Sequence, residues 1–188
     1  MKRLLLLLLA AANTVPLAAQ QSRTNAPPPT VAPGTNQLTN PASALVFQAS
    51  NGVVIAPLLL TNGYLTQLGE RTDGTDGGWV VFPFTLTNAG EYVIYGTVRA
   101  TDEESNSFFL NIDEVPEDPT MIWDIVVTDK FEEQVVNWRG TGASGSDEFD
   151  PKVFTLAAGR HRLIIYGREP NAQLMSLSIQ PHRPAAAK

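Results

Sequence analysis

The chain has 188 residues, 43% of them hydrophobic and 17% charged, with 13 Lys and Arg against 19 Asp and Glu and a formal net charge of −6. An acidic surface repels phosphate backbones, which argues against nucleic acid as a partner. No cysteine occurs, which excludes a disulfide framework and the lipidated cysteine of a bacterial lipoprotein.

The first residues decide the compartment. Lys2 and Arg3 precede an apolar run from Leu4 to Ala12, and small residues lead to Leu17-Ala18-Ala19. This charge, apolar core and cleavage-site order reads as a secretory signal peptide over 1–19, cut after Ala19. The run is shorter than the ~20 residues that span a bilayer, so no membrane insertion is expected. Losing Lys2 and Arg3 takes the formal charge from −6 to −8, leaving an acidic protein that is secreted or periplasmic. Residues 20–42, with Pro27-Pro28-Pro29, are Pro, Thr and Asn rich with little to bury, and read as a disordered linker. One domain with one core is expected over 43–181, and a disordered tail over 182–188.

Within the domain, short runs rich in β-branched and aromatic residues predict strands at Leu45–Ala49, Val53–Leu59, Trp79–Leu86, Tyr92–Ala100, Ser107–Ile112, Val135–Trp138, Val153–Leu156, His161–Arg168 and Leu174–Ile179. The expected fold is all-β, a two-sheet antiparallel β-sandwich of jelly-roll type. Three long loops, Thr61–Gly78, Glu114–Gln134 and Gly140–Asp150, are candidates for function.

Two segments follow one pattern. Ala89-Gly90 leads into Glu91-Tyr92-Val93-Ile94-Tyr95-Gly96, and Ala158-Gly159 leads into Arg160-His161-Arg162-Leu163-Ile164-Ile165-Tyr166-Gly167. Alternation puts Tyr92, Ile94 and Gly96 on one face and His161, Leu163, Ile165 and Gly167 on the matching face of the second copy. Tyr95, Thr97 and Arg99 then match Ile164, Tyr166 and Arg168. If both strands share a sheet, tyrosines and guanidinium groups stand together on one side.

The run Trp79-Val-Val-Phe82-Pro-Phe84-Thr-Leu86, the turn Ala89-Gly90-Glu-Tyr92, Arg99-Ala-Thr-Asp102, Asn106-Ser107-Phe108-Phe109-Leu-Asn-Ile112-Asp113 and Ala158-Gly159-Arg-His161 through Gly167-Arg168-Glu169 together resemble the galactose-binding-like β-sandwich of family 6 and family 35 carbohydrate-binding modules. The resemblance covers most of the chain after Gln48. It implies a carbohydrate ligand. It also implies a calcium site in the first and last strands, but Gln48 and Met175 stand at the corresponding positions and bring no charge for a hard cation. No cofactor is expected.

A sugar site needs flat aromatic faces for ring C–H groups and rigid polar groups for hydroxyls. Trp79, Tyr95, Trp123, Trp138 and Tyr166 are the candidate platforms. Trp79 opposes a core-facing row and reads as packing under a loop. Trp123 lies in the longest loop, as an anchor or a binding residue, and Trp138 opens a glycine-rich loop at a strand end, packed in the core or standing at the rim of a cleft. Arg99 and Arg168 are hydroxyl donors or partners of nearby carboxylates such as Glu169. Alternation points Phe109 and Asn111 away from Phe108, Leu110 and Ile112. The candidate ligand-binding set is therefore Tyr95, Arg99, Phe109, Asn111, Trp123, Trp138, Tyr166 and Arg168.

Catalysis finds little support. His161 faces inward by parity and His182 lies in the tail, so a Ser-His-Asp triad and a zinc site both lack parts. No Gly-x-Ser-x-Gly elbow or phosphate loop occurs. The expectation is a secreted, non-catalytic carbohydrate-binding protein acting alone, of unassigned oligomeric state. Its alternative is a structural or adhesive exported protein that uses the same sandwich for protein contacts.

Overall fold

The computed structural model describes residues 44–74, 76–139 and 150–184, with the backbone of 36–38. The expected signal peptide, most of the expected linker, the loop 140–149 and the last four residues lie outside the described residues.

The strands, in chain order, are β1 (Asn36–Leu38), β2 (Leu45–Gln48), β3 (Val53–Ile55), β4 (Leu58–Thr61), β5 (Tyr64–Gln67), β6 (Trp79–Leu86), β7 (Gly90–Ala100), β8 (Ser107–Ile112), β9 (Ile122–Asp124), β10 (Thr128–Val135), β11 (Phe154–Leu156), β12 (Gly159–Gly167) and β13 (Gln173–Pro181). They form a six-stranded sheet in the order β1-β6-β12-β8-β9, with β3 also on β6, and a seven-stranded sheet in the order β10-β7-β13-β5-β4, with β11 on β7 and β2 on β13. All pairings are antiparallel except β1 with β6. The fold is thus the expected two-sheet β-sandwich.

Four elements depart from expectation. The run Val53–Leu59 breaks at Ala56-Pro57 into β3 and β4, which join different sheets, because proline has no N–H to continue a ladder. The loop before Gly78 contains β5, a hairpin partner of β4 through Asn62-Gly63, the asparagine–glycine pair favoured in tight turns. The loop 114–134 contains β9 and most of β10, so the strand expected at Val135–Trp138 instead ends at Val135. Residues 36–38 of the expected linker lie alongside Phe84–Leu86 as β1.

The core lies between the sheets. Val80, Phe82, Phe84 and Leu86 of β6 and Leu163 and Ile165 of β12 face Ile94 and Val98 of β7 and Leu174, Leu177 and Ile179 of β13. Phe47 joins the layers, its ring 5.5 Å from that of Phe82 and 6.1 Å from that of Phe84. His161 closes one end of this core, buried against the Phe84 ring at 5.3 Å, with Nδ1 2.7 Å from the Asp113 carboxylate and Nε2 2.9 Å from the Ala157 carbonyl oxygen. At the turn before β12, Gly159 adopts φ +137°, a conformation open mainly to glycine.

Candidate functional site

The two matched segments are separated by the fold. β7, with Tyr95 and Arg99, is in the seven-stranded sheet, and β12, with Tyr166, is in the six-stranded sheet. The single tyrosine and arginine face expected from parity is therefore two faces on opposite sides of the sandwich. Alternation reads which side of its own strand a residue takes, but which strands become neighbours depends on long-range pairing.

The outer face of the six-stranded sheet is covered. Val81, Phe109, Ile122, Ile164 and Tyr166 form a second buried cluster, with Trp79 and Val115 packed against it. Phe109 and Asn111 do point away from the main core, yet both are buried; Phe109 lies in this cluster, over which Val115 of the segment after β8 packs. Tyr166 is 5% exposed and stacks obliquely with Trp79 at 6.4 Å. Burial holds its phenol pKa above the ordinary value.

Arg168 also lies inside. Its Nη1 donates to Glu169 Oε1 and to the Ser107 hydroxyl, and Glu169 Oε2 accepts from Ser107 Oγ at 2.7 Å and from the Asn106 amide at 3.0 Å. Its guanidinium lies 5.8 Å from the Phe109 ring. Burial lowers the Arg168 pKa and the Glu169 charge opposes that shift. This is a buried, hydrogen-bonded ion pair that fastens the start of β8 to the end of β12.

Trp123 is fully buried between the sheets, against the Phe108 ring at 6.1 Å. Its supports came from distant polar residues. The Asn137 side chain accepts from the Asp124 amide at 3.0 Å and donates to the Asp124 carbonyl at 2.9 Å, and Gln134 treats Val126 the same way at 2.7 and 3.0 Å. Arg139 forks onto the buried Asp124 carboxylate. These bonds extend the sheet pattern through side chains and hold β9 so that Trp123 points inward. Trp138 packs against the core, edge-on to Phe154 at 5.6 Å. Its Nε1 donates to the Leu110 carbonyl at 2.9 Å, and Lys152 Nζ sits 4.0 Å above its ring. Among the described residues, Trp123 is enclosed in the core and the partly buried Trp138 packs against it.

Tyr95 and Arg99 remain at a surface, on the outer face of the seven-stranded sheet. Tyr95, Thr97 and Arg99 of β7 lie opposite Ser178, Ser176 and Gln173 of β13. Around Tyr95 the surface sinks into a cleft of about 490 Å³, walled by Val93, Gln180, Pro181, His182 and Arg183 with Ala44 and Pro151. Gln180 Nε2 donates to Ser178 Oγ at 3.1 Å, and His182 Nδ1 lies 3.3 Å from the Glu91 carboxylate. Gln180, His182 and Arg183 were not foreseen: the last strand was expected to end at Ile179 and the tail to begin at 182, whereas β13 runs to Pro181 and the His182 amide donates to the Glu91 carbonyl at 2.8 Å.

A second cleft of about 580 Å³ lies at one end of the sandwich, among Glu70, Arg71, Asp102 to Ser105 and Glu169 to Asn171. Its acidic run forms a self-capped turn, with Asp102 accepting from the Glu104 amide at 3.1 Å and from Thr101 Oγ1 at 3.2 Å. Among the described residues, none that lines it is aromatic. Among the described residues no group of three or more His, Asp or Glu side chains is placed to hold a metal ion. Gln48 is exposed on β2, and Met175 sits at the irregularity between Leu174 and Ser176 where β13 meets β7.

No protein-family model and no curated protein matches this sequence. Solved structures share its fold. A native family 35 carbohydrate-binding module from Clostridium thermocellum superposes with a TM-score of 0.52 at 13% identity, covering 75% of this chain and 100% of that one. The GH26-CBM35 β-(1,4)-mannanase of Podospora anserina gives 0.52 at 12% identity, over 78% of this chain and 29% of the mannanase. The C-terminal family 6 module of a marine laminarinase from Zobellia galactanivorans gives 0.46 at 14% identity, over 73% and 99%. At these identities the likeness to the first two is one of fold alone.

Proposed function

We propose that this chain is an exported, non-catalytic module that binds carbohydrate, with Tyr95 as its stacking platform. The observation that carries the reading is the cleft around Tyr95. A half-buried phenol ring stands beside the apolar Ala44, Val93, Pro151 and Pro181 and beside the amide, imidazole and guanidinium of Gln180, His182 and Arg183. A sugar ring offers a C–H face to a flat aromatic and hydroxyls to rigid polar groups, which is what this cleft presents. The fold shared with a family 35 carbohydrate-binding module supports the same ligand class. Among the described residues, none of the eight that line the cleft is Asp or Glu, whereas glycoside hydrolysis ordinarily needs a pair of carboxylates. The leader over residues 1–19 supports export.

The test is a glycan array probed with the chain beginning at Gln20, alongside its Tyr95→Ala variant. Binding to a glycan family by the parent and its loss in the variant is expected. Silence across the array would overturn the carbohydrate reading, and equal binding by both proteins would move the site away from Tyr95. The structural or adhesive alternative has the exposed Val46, Leu60 and Leu68 in its favour. It requires concentration-dependent association in analytical ultracentrifugation.

A further inference from the structure

Three of the five buried side-chain polar atoms that lack a partner among the described residues stand in one row across neighbouring strands: Thr66 Oγ1 on β5, Gln173 Oε1 on β13 and Arg99 Nε on β7. Gln173 lies opposite Arg99, and Leu174 lies opposite Leu65, so antiparallel pairing sets Gln173 beside Thr66. Their neighbours Leu65, Leu174 and Val98 point into the core, which turns the row outward, onto the face that carries Tyr95.

Buried polar groups are nearly always satisfied, so a cluster of exceptions calls for an explanation. Arg99 stands out among the cations as well. The other buried or half-buried ones are engaged: Arg168 by Glu169, Arg139 by Asp124, Arg162 by the Asp113 carbonyl and Lys152 by the Trp138 ring. The half-buried Arg99 guanidinium enters no ion pair among the described residues.

The atom types select a ligand. Arg99 Nε–H only donates, Gln173 Oε1 only accepts and the Thr66 hydroxyl does both. A donor beside an acceptor complements an alcohol, which accepts one bond and donates another. An anion would meet the Gln173 oxygen and a cation would meet Arg99, so a neutral polyol fits best. Tyr95 and Arg99 are four residues apart on β7, about 13 Å at the usual strand rise, a span that one sugar ring does not bridge. Between them on the same face lie Thr97 and Ser176, joined by a hydroxyl–hydroxyl bond of 2.9 Å. Tyr64 and Phe131, with rings 5.7 Å apart, stand on β5 and β10 beside the row. The row is screened from solvent, so a ligand reaches it as such side chains turn aside, a common change at binding surfaces.

We infer that Thr66, Gln173 and Arg99 form a second, hydroxyl-reading subsite, and that the ligand is a neutral, linear oligosaccharide laid along β7 and β13 from Tyr95 to Arg99. This rests on the carbohydrate reading given above.

The experiment is calorimetric titration of the full exported chain with manno- and laminari-oligosaccharide ladders, from mono- to hexasaccharide. The parent is compared with Tyr95→Ala and with the shape-conserving double variant Thr66→Val, Gln173→Met, each also followed by thermal melting. Affinity that rises with chain length in the parent is expected. The double variant should lose about tenfold in affinity for the longer oligosaccharides, as expected for one or two hydrogen bonds, and keep its affinity for the shortest ones. Binding that depends on Tyr95 but not on length would overturn the subsite while leaving the carbohydrate reading in place. A shifted melting temperature with unchanged length dependence would show that the row holds an internal water only. Absence of binding to both ladders would overturn the subsite, and silence on the glycan array would then remove the carbohydrate reading too.

Discussion

The Trp123 ring fills the space that a side chain on Gly96 would need. A Cβ at Gly96 would stand 2.3 Å from Trp123 Cη2 and 3.1 Å from Cζ2, well inside contact distance. The glycine on β7 and the tryptophan on β9 thus belong to different sheets and are fitted to each other across the core. Gly96→Ala should lower stability by about 1–3 kcal/mol through overpacking, read as a shifted denaturant midpoint. Trp123→Leu should cost less in the Gly96→Ala background than in the parent, because the smaller side chain frees the space. Additive costs would show that the two positions do not compete.

Tyr95 and Tyr166 should part company under mutation. Tyr166→Ala empties the buried cluster over the six-stranded sheet and should cost about 3–5 kcal/mol, seen as a large fall in melting temperature. Tyr95→Ala should change stability by less than about 1 kcal/mol and remove about 1–3 kcal/mol of glycan affinity on a polysaccharide affinity gel. The reverse pattern would return the site to the six-stranded sheet.

The buried ion pair should be sensitive to the loss of one partner. Glu169→Gln leaves the Arg168 guanidinium without its countercharge and weakens the bonds to Ser107 and Asn106. A cost of about 3–5 kcal/mol is expected, measured by chemical denaturation. A loss under about 1 kcal/mol would mean that solvent reaches Arg168 readily.

Alkaline pH should weaken the fold through two tyrosines. Burial raises the pKa of Tyr92 and of Tyr166 above 10.0, so above about pH 10 the unfolded chain loses phenol protons that the folded chain keeps. The unfolded state then binds fewer protons, and stability falls as pH rises through the folded-state values. Tyr92 also donates to the Asn88 carbonyl at 2.8 Å, a bond that ionisation removes. Lys152 has its pKa lowered by burial, and its contribution runs the other way, growing as pH rises toward the unfolded value. Melting curves between about pH 8 and about pH 11 should therefore fall less steeply for Tyr92→Phe, Tyr166→Phe than for the parent. Parallel curves would show that neither phenol is linked to folding.

Export should release a shortened chain. Expressed with its own leader, the protein should be recovered outside the cytoplasm with Gln20 or a near neighbour at its N-terminus, by N-terminal sequencing. Retention of Met1 would remove the leader assignment.

Local chemistry made much of this protein legible in advance. Strict alternation located β6 and β8 to the residue and gave the inward side of β7 and β12 correctly, because side-chain direction in a strand is a property of the backbone itself. It also pointed Phe109 and Asn111 away from the core. β5, β9 and most of β10 were missed: β5 is held by its hairpin with β4, β9 by pairing with β8 and by the Asn137 amide, and the polar β10 by pairing with β7. Which strands pair, and what lies over a sheet, were decided only by tertiary structure. β7 and β12 read alike yet entered different sheets. Val115 packs over one outward face, and the other kept Tyr95 in a cleft. Alternation acts between adjacent residues, whereas pairing and cover join residues far apart in the chain, where burial of the whole apolar surface selects the arrangement.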